Sequence, residues 1–171
     1  MFRICLTVFL NVVLASAVAQ EVLKPTSSIS ISGRVKSPKT VSFEELKKYK
    51  LYNLGDVVIT NHKGDVKGTA KDLTGVLLKD FLQGVELDAE NPKVLSEYYF
   101  TCIASDGYKI IYSWNELFNT AIGNSVYILT SKDNQPLEKL DENIVMIATQ
   151  DIRTGRRYVK NLQSIIVRRA E

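Results

Sequence analysis

Thiols are scarce in this chain. It has two cysteines, Cys5 and Cys102, and the first sits in an apolar N-terminal segment of the kind removed on export. A single histidine, His62, excludes a multi-histidine metal site and any imidazole triad with a second base in reserve. An excess of one charge is also missing. The 22 Lys and Arg face 19 Asp and Glu, giving a formal net charge of +3, and the basic residues are spread out except in the C-terminal tenth. The dense basic stripe of a nucleic-acid binder is therefore absent, and no nucleic-acid partner is expected. After the first twenty residues no apolar run approaches the roughly 20 residues needed to cross a bilayer. Paired carboxylates, a nucleophile elbow, a phosphate-binding glycine loop and zinc-type cysteine spacing are lacking as well. The adjacent Glu44 and Glu45 suit helix capping.

The N-terminus reads as a secretory signal peptide over residues 1–19. Arg3 is the basic start, residues 4–14 are apolar except for Thr7 and Asn11, and Ala17-Val18-Ala19 is a small-x-small cleavage site. The apolar run is too short for a membrane anchor. Cys5 lies inside it and not after a cleavage site, which argues against a lipoprotein. The expected product is periplasmic or secreted, with no transmembrane segment after cleavage, a leader over residues 20–28 and a single domain over 29–171. Cleavage removes one positive charge and leaves Cys102 without a disulfide partner, so stability must come from packing. The domain is long enough to bury a substantial core.

Along that domain, Ile29, Ile31 and Val35 alternate around Gly33 as a first strand would place them. Pro38 interrupts. Ser42-Phe43-Glu44-Glu45 has capping-box spacing, opening a short helix with Phe43, Leu46 and Tyr49 on its apolar face. Residues 57–59 are consecutive β-branched residues, the pattern of a strand buried on both faces. His62-Lys63-Gly64-Asp65 is turn chemistry. Thr74 can cap a second helix carrying Leu77, Leu78, Phe81 and Leu82, with Gly84 ending it. Strands over 98–105 and 108–113 flank Asp106-Gly107, a two-residue hairpin signal with φ > 0 expected at both positions. Residues 114–118 suit a helical turn. Further strands are expected over 126–130, 144–148 and 164–167, the first two parted by Asp133-Asn134-Gln135-Pro136. Strands outnumber short, scattered helices, which predicts an α+β fold with mixed or antiparallel sheets.

Three stretches occur in a telling order. They are Thr74-Gly75-Val76-Leu77-Leu78-Lys79-Asp80-Phe81-Leu82, Ser105-Asp106-Gly107-Tyr108, and Gly155-Arg156-Arg157-Tyr158-Val159-Lys160-Asn161-Leu162. Ahead of them, Ser32-Gly33-Arg34-Val35, Pro38 and Val41-Ser42-Phe43-Glu44-Glu45-Leu46 supply a glycine-containing strand and a first helix. Together they resemble the molybdopterin-binding domain of the sulfite oxidase family over most of residues 29–170. The resemblance implies a compact sulfite-oxidase-like mixed-sheet domain with the pterin in a cleft lined by loops at strand ends. It also implies molybdenum held by the pterin dithiolene and by one cysteine thiolate from a strand end ahead of the first stretch. Here that region reads Val57-Val58-Ile59-Thr60-Asn61-His62-Lys63-Gly64, without cysteine. Neither Thr60 nor Asn61 can supply a soft anionic ligand. Cys102 lies on another expected strand, where a buried small hydrophobe is the simpler reading. The arginine-rich run that follows the family's cysteine is absent, and so are haem and dimerisation domains.

The candidate cofactor-binding residues are Asn61, His62, Asp106, Tyr108, Arg153, Arg156, Arg157 and Lys160, with no catalytic and no metal-ligating residue assigned. Arginines around Gly155 suit a phosphate or another oxyanion, and the resemblance puts the lysine matching Lys160 near the pterin. A solvated basic hairpin is the plainer alternative. His62 could hydrogen-bond a ligand or carry a proton, or stand exposed in its turn. Turn chemistry explains Asp106 and Gly107 without a ligand, and Tyr108 could pack on its neighbours.

Three functions follow from this sequence. The leading one is an exported binding module, non-catalytic for metal redox, that holds a pterin without protein thiolate ligation or another small anionic ligand. The second is an active molybdopterin-dependent oxidoreductase with metal held by the pterin alone or by Cys102. The third is a structural or interaction subunit of an envelope complex, its protein partner unidentified.

Overall fold

The computed structural model describes residues 25–171; the expected signal peptide and residues 20–24 lie outside them. The chain begins with β1 (Ser28–Gly33), β2 (Lys39–Ser42) and the one-turn helix α1 (Phe43–Leu46). A long hairpin of β3 (Tyr52–Thr60) and β4 (Val66–Leu77) follows, then α2 (Leu78–Gln83). β5 (Tyr98–Ala104) and β6 (Lys109–Ser113) form a second hairpin leading into α3 (Trp114–Phe118). β7 (Val126–Lys132), β8 (Gln135–Pro136), β9 (Met146–Ala148) and β10 (Leu162–Arg169) complete it. The first sheet has the order β2-β1-β10-β5-β6. The second has the order β3-β4-β7-β8, with β9 also paired to β7. Only β1 and β10 run parallel; the other described pairs are antiparallel. This is the α+β, mixed-sheet architecture that the strand-rich pattern predicts.

Period-two patterning fixes the first sheet's register. Ile31, Ile165, Cys102 and Ile110 lie side by side on four strands, and all are buried. Gly33, Val167, Phe100 and Tyr112 make the neighbouring row. Gly33 has φ +92°, and a β-carbon there would stand 2.2 Å from the Val167 carbonyl oxygen, so only glycine fits. Each large apolar side chain buried in these rows contributes about 1.5–3 kcal/mol. The core continues without a break into the second sheet through Leu73, Val76, Ile128 and Leu129.

Several local expectations change. Val58 is 47% exposed although Val57 beneath it is buried, because β3 is an antiparallel edge strand with one solvated face. Thr74 does not cap α2. It lies inside β4, and α2 starts after Leu77 with no side-chain cap. Gly75 is there for a close cross-strand approach, since a β-carbon would meet the Ile128 carbonyl oxygen at 2.7 Å. Gly84 does end α2. The β5–β6 connection spans four residues, 105–108: Gly107 N–H donates to the Ala104 carbonyl, and among them only Gly107, at φ +82°, has positive φ. Positive φ at both central positions occurs instead at Asp133 (52°) and Asn134 (58°), the two-residue turn between β7 and β8.

Candidate functional site

β3 ends at Thr60 and the chain turns back on Asn61. The Asn61 carboxamide is committed to that turn. Its Oδ1 accepts from the N–H groups of Lys63 (2.8 Å), Gly64 (3.0 Å) and Asp65 (3.0 Å), and its Nδ2 donates to the Asp65 carboxylate at 2.9 Å. Asparagine suits this place because its side chain mimics a backbone carbonyl. His62 stands exposed on the same turn.

A single 3₁₀ turn, Thr154–Arg157, docks on the end of β3. Thr154 Oγ1 donates to the Val58 carbonyl at 2.7 Å and accepts from the Thr60 N–H at 3.0 Å. Gly155 comes so close that a β-carbon would lie 2.0 Å from the Thr60 carbonyl oxygen. From the β5–β6 loop, the Tyr108 hydroxyl donates to the Arg156 carbonyl at 2.7 Å, and Asp106 Oδ1 accepts from the Tyr108 N–H at 2.9 Å. Ser105 N–H donates to the Asn161 carbonyl at 3.0 Å. One seam thus brings together Asn61, Asp106, Tyr108 and Arg156.

The four basic candidates have different fates. Arg157 lays its guanidinium fork on Asp151, with Nε donating at 2.7 Å and Nη2 at 2.5 Å. It also reaches Glu116 at 3.4 Å and lies 4.5 Å above the Tyr112 ring. Its charge is largely spent inside the protein. Arg153 and Arg156 are exposed and make no ion pair among the described residues. They line an open cleft of about 640 Å³ with Ile122 and Ile152.

Lys160 goes elsewhere. Its Nζ sits 2.5 Å from Glu142 Oε1, while Lys132 Nζ and the Tyr158 hydroxyl donate to Oε2 at 2.8 and 3.0 Å. Burial pushes the Glu142 carboxyl upward, but Lys132 and Lys160 more than offset it and hold it below the usual glutamate range. Burial also drives the Tyr158 phenol well above its ordinary value. These groups line a cleft of about 240 Å³ with Ile59, Thr69 and Lys67. Lys132 and Lys160 pair with Glu142, and Lys67 also lines the cleft, so three lysines and one carboxylate leave an excess of two positive charges. Lys67, Lys132 and Glu142 come from distant strands and loops, and nothing in their spacing announces the cluster. Tyr158 is the exception: two residues before Lys160 in extended backbone, it points to the same side.

The structure is similar to that of the sulfane dehydrogenase SoxCD from Paracoccus pantotrophus, with a TM-score of 0.59 and 13% identity over 82% of this chain. The fold is a distant sulfite-oxidase-like one. The match covers 37% of the SoxCD chain, so this protein spans well under half of it. No protein-family model matches the sequence, and no curated protein is significantly similar to it.

The residues present do not fit the molybdenum implied by that fold. At the strand end where the sequence resemblance puts a thiolate, Thr60 and Asn61 offer only a hydroxyl and a committed carboxamide, and Gly155 packs onto the Thr60 backbone. Cys102 is fully buried in the middle of the first sheet, and burial pushes its thiol up to about 12. It is neither ionised at neutral pH nor within the seam. Oxygen atoms without a protein partner do occur at the seam, on Thr60, Ser105 and Asn161. Hydroxyl and carboxamide oxygens of this kind suit hydrogen bonding rather than ligation of a soft metal centre.

Proposed function

We propose that this sulfite-oxidase-like domain is an exported binding module for a small anionic ligand, held in the cleft beside Lys160 and not used for metal redox chemistry. One observation carries the reading: Lys67, Lys132 and Lys160 converge on a cleft that contains a single carboxylate. An oxyanion entering there meets unbalanced positive charge that is already fixed in place, because Glu142 holds two of the three lysines before the ligand arrives. A pterin bearing a phosphate, or a simpler oxyanion, has the required chemistry.

The test combines composition with binding. Protein from its native host is assayed for molybdenum and tungsten, and for pterin fluorescence after oxidative release, while the purified protein is titrated with inorganic phosphate and with a pterin. Charged hydrogen bonds contribute about 1.5–3 kcal/mol each, so Lys160→Ala should weaken binding about 10- to 100-fold. Stoichiometric metal, or an affinity indifferent to Lys160→Ala, would sink the proposal. A second reading, the interaction subunit, is favoured by Ile152, which is 95% exposed beside the unpaired Arg153 and Arg156.

A further inference from the structure

A further cavity lies away from the seam, between α2, the 84–91 loop, the 3₁₀ segment Pro92–Glu97, Phe100 of β5 and α3. It measures about 470 Å³, within the roughly 300–1,000 Å³ typical of small-molecule sites. One side of its wall is aromatic and the rest is mainly aliphatic. Trp114 and Phe118 stack with ring centroids 5.4 Å apart and 27° between planes, and Phe100 meets Phe118 at 6.1 Å. The local sequence explains the stack. Ser113 and Glu116 form a capping box that starts α3, and residues four apart on a helix share a face. Both rings are only partly buried, so neither is used up by the core.

The polar groups at the rim are mostly committed. Glu90 accepts from Arg169 at 2.7 Å, and the Asn91 carboxamide accepts from the Lys93 N–H at 3.0 Å. The Trp114 indole N–H and the Gln83 carboxamide make no hydrogen bond among the described residues. The pocket therefore offers flat apolar walls, one or two uncommitted hydrogen-bonding groups, and no unpaired charge. An ion placed there would lose hydration without gaining a counter-charge.

We propose that this pocket binds a small, neutral, planar aromatic molecule, at a site independent of the anion cleft. Offset rings attract a flat aromatic ligand beyond the area that they bury, and the indole N–H can orient a ligand acceptor. Trp114 is the chain's single tryptophan, so the site carries its own reporter.

The full-length mature protein is titrated with N-phenyl-1-naphthylamine while Trp114 is excited. A saturable one-to-one transfer signal is expected. Ala89→Phe, which puts a ring into the cavity, should weaken binding at least tenfold, and Lys160→Ala should leave it unchanged. Trp114→Ala removes one ring of the stacked wall, so the directly excited probe should bind at least tenfold more weakly; this variant decides the matter if Ala89→Phe misfolds. Neutral 1-naphthalenemethanol should displace the probe at lower concentration than 1-naphthoate. Non-saturable transfer, binding indifferent to Ala89→Phe in a folded variant, undiminished direct probe binding in a folded Trp114→Ala variant, or equal displacement by the two competitors would each overturn the assignment.

Discussion

Gly155→Ala tests the docking of the Thr154–Arg157 turn onto β3. The backbone at Gly155 is not in the left-handed region, so the penalty is steric. The new β-carbon would stand 2.0 Å from the Thr60 carbonyl oxygen, and relief requires the turn to withdraw by about 1 Å or more, since real contacts of this kind stay near 3 Å. That shift stretches both Thr154 hydrogen bonds to β3, at 2.7 and 3.0 Å. Losing two net bonds costs about 1 kcal/mol each, with more added where a buried group is left unpaired. The expected destabilisation is about 2–4 kcal/mol, which for a domain of this size lowers Tm by roughly 4–16 °C. Thr154→Val removes the same two bonds while keeping the side-chain shape, and should cost about 2 kcal/mol. Because the two substitutions release one contact, the double variant should fall well short of additivity in urea unfolding. A Gly155→Ala loss below about 1 kcal/mol, or strict additivity with Thr154→Val, would show that the turn does not depend on this approach.

Two further predictions concern charge and redox state. The Glu142 carboxyl is held below its unfolded value, so its contribution is complete above about pH 4.3 and is lost as pH falls through the lower folded value. Glu142→Gln should therefore flatten the acid limb of stability between about pH 4.3 and that lower value, as read by thermal unfolding across pH. Burial keeps the Cys102 thiol protonated up to about 12. Iodoacetamide at neutral pH should leave it unmodified in the folded protein and alkylate it after denaturation, with the site read by peptide mass spectrometry. Rapid native alkylation would place the thiol at the surface and reopen the oxidoreductase reading.

What the sequence makes legible follows the range of the interaction. The Ser42–Glu45 capping box is complete in the structure, with both reciprocal bonds made, because everything it needs lies within four residues. The alternation of Ile29 and Ile31 is equally local. Thr74-Gly75 misleads because a glycine serving a cross-strand approach resembles a helix entry when the facing strand is unknown. The β-branched run at 57–59 misleads for a related reason: side-chain type signals a strand, but only the sheet order shows that it lies at an edge. At the site, the basic segment is visible in the sequence, whereas its division is not. Asp151 and Glu116 neutralise Arg157, and Glu142 draws Lys160 towards Lys132. Those partners are set by tertiary contacts, which leave no periodicity behind.

The parallel pairing of β1 with β10 has a consequence for when the protein can fold. β10 is the central strand of the first sheet, with β1 on one side and β5 on the other. While a ribosome is still making the chain, β1 and β2 can pair with each other and β5 with β6, but the first sheet stays in two parts until β10 emerges between them. Such long-range closure is slow, and the first sheet stays open until β10 has been made. Threading through a translocation pore requires a chain in that condition.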